Sequence, residues 1–213
     1  AGMTQNGAAA NTLIGHAAGA YITTGGNNTI LGYTTGDAIT TGANNTCVGA
    51  TAGGALTTGQ LNVFIGNGAG DSLTTASQNV AVGRNALTAC ETTGQHVAIG
   101  DQALAAVSTG TNNVGIGGSA GLLIDTGSSN VVIGASAGDA ITSSTSNVIV
   151  GTGAGNSIST GNGENVCVGN NAGAAMTTGQ QNIIVGDNAA AGAALTGSLN
   201  IFIGDNVAYN VTG

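Results

Sequence analysis

Apolar positions along the chain come in clusters of three, each closed by a glycine and followed by small residues, as in Val131-Val132-Ile133-Gly134, Val148-Ile149-Val150-Gly151 and Ile183-Ile184-Val185-Gly186. The closing glycine recurs as Gly15, Gly32, Gly49, Gly66, Gly83, Gly100, Gly117, Gly134, Gly151, Gly169, Gly186 and Gly204, spaced by 17 residues eight times and then by 18, 17 and 18. Self-similarity at a fixed period of this kind is the signature of a repeat architecture. Within one unit the β-branched run is followed by a small-residue corner, a second short segment such as Ala140-Ile141-Thr142, and another corner rich in Gly, Asn and Ser. Short β-branched runs bounded by such residues read as strands, and a helix of ordinary length does not fit inside the period. Identical coils stacked strand on strand repeat at about 4.8 Å and form parallel sheets along the long axis. The pattern therefore predicts an all-β fold, a parallel β-solenoid of the β-roll or β-helix kind. It has about twelve 17-residue coils over residues 1–213, and its length is roughly 55–60 Å.

The stacked columns carry the next inference. Four residues before each closing glycine stand Asn11, Asn28, Asn45, Asn62, Asn79, His96, Asn113, Asn130, Asn147, Asn165, Asn182 and Asn200. Asn tolerates left-handed geometry, and its amide can bond the coils above and below, so this column reads as a structural ladder. His96, standing in that column, reads as a ladder member rather than a catalytic base. Directly before the glycine lie Ile14, Leu31, Val48, Ile65, Val82, Ile99, Ile116, Ile133, Val150, Val168, Val185 and Ile203, all large and aliphatic, and this column is the expected core. Side chains alternate faces along a strand, so the residue before it should point outward. That residue is Leu13, Ile30, Cys47, Phe64, Ala81, Ala98, Gly115, Val132, Ile149, Cys167, Ile184 and Phe202. A strand apolar on both faces must be covered on both. The second column is therefore the expected inter-chain stripe, packed around a symmetry axis in a homo-oligomer; the alternative is a monomer in which two sheets sandwich both stripes.

Composition narrows the chemistry. The 213 residues include 40 Gly, no Pro, a single basic residue (Arg84) and nine Asp plus Glu, for a formal charge of −8. Nucleic-acid binding needs a basic footprint to neutralise phosphates, and this chain has none. No apolar run reaches the length of a membrane span, so no membrane insertion is expected. Cys47 and Cys167 stand seven coils apart and cannot form an intrachain disulfide. Cys90 replaces an aliphatic residue in the column of Ile39, Leu56 and Leu73. Buried free thiols are the expectation, and cross-chain pairing at an axis is the alternative. The glycines mark corners of a repeat with no helix to follow them, so no phosphate-cradling loop is expected. Asp37, Asp71 and Asp139 share one column, and Asp101, Asp187 and Asp205 another. The nonapeptide calcium repeat is absent, and these carboxylates read as solvated charges that discourage bundling. No paired carboxylates for glycoside cleavage, no catalytic residues, no metal site and no cofactor are assigned, and the chain is not expected to be an enzyme.

The stretches Asn79-Val-Ala-Val-Gly-Arg-Asn-Ala-Leu87 and Val97-Ala-Ile-Gly-Asp-Gln-Ala-Leu104 resemble the Asn-x-x-Ile-Gly-x-x-Ala-Leu/Gly repeats of phage tail-fibre shafts. Those repeats are in turn similar to the head repeats of trimeric autotransporter adhesins. The likeness runs over essentially the whole chain. It implies left-handed winding, a homotrimer, and a structural or adhesive shaft on a virion or cell surface that projects or contributes to a receptor-binding tip, with a host cell-surface glycan or receptor as partner. Ala1-Gly2 is in register with Ala18-Gly19, and Val211-Thr212-Gly213 stops partway through a coil, so one repetitive domain belonging to a longer fibre is expected. An extracellular filament or matrix protein is one alternative. Ice binding is the other. Thr24, Thr41, Thr58, Thr75, Thr92, Thr109, Thr126, Ser143, Thr160 and Thr178 form one Thr rank, while its neighbour from Thr23 to Thr177 is interrupted by Glu91 and Asp125.

Overall fold

The computed structural model of the chain describes residues 1–3, 7, 10–90, 92, 94–160, 163–192 and 194–209. Glu91 and Val211-Thr212-Gly213 lie outside the described residues. The fold is a parallel β-solenoid, and the described residues contain no helix and one sheet of twelve strands in sequential order. We number the strands β1 (Thr12–Ile14), β2 (Thr29–Leu31), β3 (Thr46–Val48), β4 (Val63–Ile65), β5 (Val80–Val82), β6 (Val97–Ile99), β7 (Val114–Ile116), β8 (Val131–Ile133), β9 (Val148–Val150), β10 (Val166–Val168), β11 (Ile183–Val185) and β12 (Ile201–Ile203). Each strand pairs only with its neighbours, and equivalent residues face one another, as in Val131 opposite Val148. The 18-residue steps leave the pairing intact, with Val148 opposite Val166 and Ile183 opposite Ile201.

The second segment of the coil, expected as a strand, stays irregular. The corner just before it, as at Ala17 and Gly19 or Asn85 and Leu87, takes positive φ two residues apart, and such alternating left-handed residues break strand geometry between the β-branched run and this segment. Adjacent coils still bond through this segment, with Thr57 N donating to Thr74 O at 2.8 Å and Thr142 N to Ser159 O at 3.0 Å.

The orientation of the strand is the reverse of the sequence expectation. On β2 to β11 the central residue is buried and both flanking residues face outward, partly or fully exposed. Ile30, Cys47, Phe64, Ala81, Ala98, Gly115, Val132, Ile149, Cys167 and Ile184 therefore belong to the chain's own core, with Leu13 and Phe202 half-buried at its ends. None of them is an inter-chain column. The column before the glycine, expected as core, points outward, and Ile14 is 58% exposed.

The physical reason is volume matching in a thin core. Opposite the strand centre lies a column four residues after the closing glycine: Gly19, Gly36, Gly53, Gly70, Leu87, Leu104, Gly121, Gly138, Gly155, Gly173 and Ala190. Where the strand supplies Phe64, the facing residues are Gly53 and Gly70, and a Cβ on either would come within 2.9 Å of the ring. Where the strand shrinks to Ala81, Ala98 and Gly115, Leu87 and Leu104 fill the space. Leu104 stands so close that a Cβ on Gly115 would be 2.7 Å from its Cγ. Variable size along the strand centre is thus the mark of a close-packed interior. The remaining core is the column of Ile22, Ile39, Leu56, Leu73, Cys90, Val107, Ile124, Ile141, Ile158, Met176 and Leu195, lined by Ala18, Ala52 and their equivalents.

Candidate functional site

The Asn column forms a continuous hydrogen-bonded ladder. From Asn28 to Asn182 the column is at most 1% exposed, and burying an amide without partners costs a few kcal/mol. Each Oδ1 accepts from the next coil: Asn62 Oδ1 takes Asn79 N at 3.0 Å and Asn79 Nδ2 at 3.1 Å. Most Nδ2 groups also reach a corner carbonyl, as Asn45 Nδ2 reaches Gly59 O and Asn113 Nδ2 reaches Gly127 O, at 2.9 and 2.8 Å, while Asn147 Nδ2 donates to Ser144 Oγ. Asn11 and Asn200 close the ladder at its half-buried ends, through Asn28 N to Asn11 Oδ1 and Asn200 N to Asn182 Oδ1. Every buried side-chain nitrogen and oxygen among the described residues is paired.

His96 carries the ladder through one coil with different chemistry. Its backbone N donates to Asn79 Oδ1, Nδ1 accepts from Asn113 N at 3.3 Å, and Nε2 lies 3.1 Å from the Gly110 carbonyl. A backbone N–H only donates, so Nδ1 carries no proton and Nε2–H donates to Gly110. The ring is neutral by geometry, and burial holds its pKa below the ordinary 6.5, partly offset by the Gly110 bond. The unfolded chain then binds the proton more readily than the folded one. The stability contributed by neutral His96 is complete above about pH 6.5 and declines as pH falls through that value, by at most about 1.4 kcal/mol per pH unit. His96→Asn restores a two-acceptor Oδ1 and removes this dependence. Asp71 and Asp139, whose carboxyls burial pushes up, act oppositely and are common to both proteins. The expected result is a gap between H96N and wild-type urea midpoints that widens from pH 7 to pH 5; an unchanged gap refutes the assignment.

The other candidate residues are separate from one another. Cys47, Cys90 and Cys167 are buried free thiols, and burial pushes Cys47 and Cys167 up to about 12. Because Cys47 and Cys167 sit in the intrachain core, the cross-chain disulfide is overturned. Asp71 is raised first by desolvation and then by the charge of Asp37 two coils away, with the Gly54 amide opposing. No group of three metal-ligating side chains occurs among the described residues. Arg84, without a partner in the sequence reading, pairs with Asp101 at 2.7 Å on the exposed surface. The period itself contained this pair, because Asp101 is Arg84 advanced by one coil. An exposed ion pair of this kind contributes about 0–1 kcal/mol. His16 and Tyr33, also one coil apart, stack with centroids 5.2 Å apart.

The two Thr ranks differ in what their hydroxyls do. Thr23, Thr40, Thr57 and Thr142 are half-buried and donate Oγ1 to the carbonyl one coil on, at 2.9 to 3.2 Å. The Thr24 to Thr178 rank is exposed in every coil. Comparison of the chain with protein-family models, curated proteins and solved structures finds no match.

Proposed function

We propose that the chain is a shaft segment of an extracellular or virion fibre, a rigid spacer of three copies that projects or contributes to a receptor-binding tip. The reading supports a structural rather than a catalytic role. Its partners are further copies of the chain and, at the tip, a host cell-surface glycan or receptor. The observation that carries it is the near-equivalence of successive coils: one sheet and one Asn ladder run from β1 to β12, and strands contact only their neighbours. Stability in such a stack is a sum of coil and nearest-neighbour contributions, so its length can change without loss of the fold. The resemblance to phage tail-fibre shaft repeats points the same way.

The test is deletion of one whole unit, Asn130 to Ser146. This unit is suitable because its removal sets Gly121 beside Ile149, a pairing like that of Gly155 with Ile149. Small-angle scattering should report a rod shorter by about 4.8 Å with unchanged circular dichroism and oligomer mass. Removing only the eight residues Asn130 to Ala137 sets Asn and Gly columns against aliphatic ones and should abolish folding. Loss of the fold on the in-register deletion, or loss of host-cell binding with the fold kept, would overturn the spacer reading.

A further inference from the structure

Both residues flanking the centre of each strand point outward, and they form two parallel ranks along the rod. From β4 to β12 every outward residue is Val or Ile. Only β1, β2 and β3 differ, with Thr12, Thr29 and Thr46 in the first rank. Nothing inside the coil requires this. The core lies on the other side of the sheet, and Val148 and Ile65 are 38% and 39% exposed. A solvated sheet face is ordinarily polar, so nine successive strands aliphatic at both outward positions need a cover.

We infer that this face is where copies of the chain meet, a seam running from β4 to β12 with a more polar end at β1 to β3. Three features identify the occupant as a second copy. The first is area. Nine strands at about 4.8 Å, and two ranks about 7 Å apart with about 2 Å of van der Waals radius at each outer edge, give a flat apolar strip on the order of 500 Å². That lies in the upper part of the range monomers leave exposed, about 300–600 Å², and it is more than half of one partner's share of about 800 Å² in a standard interface. The second is charge. Copies each carrying −8 repel, and they approach at least cost through a face with no ionisable group. The third is the border. The residue after the closing glycine is exposed and polar in several coils, as in Tyr33, Asn67, Arg84, Asp101 and Asp187, and an apolar centre with a polar rim is the anatomy of a protein interface. A parallel copy also presents the same 4.8 Å repeat, so ranks can interdigitate over their whole length.

This inference rests on the self-associating part of the shaft reading. The deletion above tests modularity and rod length, which hold or fail whatever the oligomer. The test here is sedimentation of the chain at tens of micromolar. The wild type should run at a multiple of 20.0 kDa. Val131→Lys with Val148→Lys should give a folded monomer, since in each copy two ammonium groups would be forced into an apolar seam. Val114→Thr, Val131→Thr and Val148→Thr together form a milder set already compatible with the coil, because Thr occupies the same rank in β1 to β3. They should weaken association at least tenfold and leave circular dichroism unchanged. Thr109→Lys with Thr126→Lys, on the exposed Thr rank, should keep the wild-type mass. A wild type of 20.0 kDa, or an oligomer indifferent to the Thr set, would overturn the inference.

Discussion

Gly117→Ala should unfold the chain or split it at that coil, whereas Gly118→Ala, one residue on, should leave it intact. At Gly117 φ is +132°, a region in which side chains are strained, and an added Cβ would lie 2.6 Å from both C and O of Gly134 and 3.0 Å from Ala135 N. All three are backbone atoms of the next coil, so no rotamer change relieves the overlap and the coils must separate. The same contact recurs along the column, with Gly100 against Gly117 and Gly134 against Gly151. The expected loss is at least about 3 kcal/mol from strain and overpacking together. A Cβ on Gly118 meets nothing within 4 Å, and there Ala can stabilise slightly by restricting the unfolded chain. Thermal melts of the two variants provide the check. Equal melting temperatures would show that the stack tolerates a wider spacing than its geometry indicates.

The second large effect is expected from the matched volumes at Leu104 and Gly115. Gly115→Val alone drives a branched side chain into Leu104 and should cost about 1–3 kcal/mol or more. Leu104→Gly alone leaves a cavity beside Ala98 and Gly115. Its cost, about 2–5 kcal/mol for losing a buried leucine, is lessened because Leu104 itself sits at φ 51°, where glycine is unstrained. Together the changes recreate the arrangement of the coils on the C-terminal side, where Gly138 lies between Val132 and Ile149. The double variant should then be more stable than the sum of the singles by about 2 kcal/mol, within the range of coupled neighbours. Additive denaturation energies would mean that the two columns do not pack against each other.

Several features of the rod follow from the chain alone. A period of 17 residues, a β-branched run and a closing glycine admit few structures other than a stack of short parallel strands, because the backbone hydrogen bonds must go to the adjacent coils. The Asn ladder was equally legible, since a short amide recurring at one corner can bond its own copy above and below. His96 belonged to it for the same reason. Even the Arg84–Asp101 pair and the His16–Tyr33 stack are visible once residues one period apart are read as neighbours.

Which side of the strand is inside was decided by the tertiary structure. Uniformly large aliphatic residues before the glycine suggested a core, yet a narrow interior does not ask for uniformity. It asks that facing columns sum to the same volume, and Phe64 between Gly53 and Gly70, or Gly115 against Leu104, satisfies this with very unequal residues. The complement of a strand residue lies in another column and another coil, so only the cross-section shows that Ala98 and Phe64 are equivalent core positions. The uniform ranks from Val63 to Ile203 were left outside, and their uniformity has no cause within a single coil. The three-residue length of each strand settles the rest: a single central side chain points inward while its two neighbours point out, and the glycine that follows turns the chain before a fourth residue can reverse the balance.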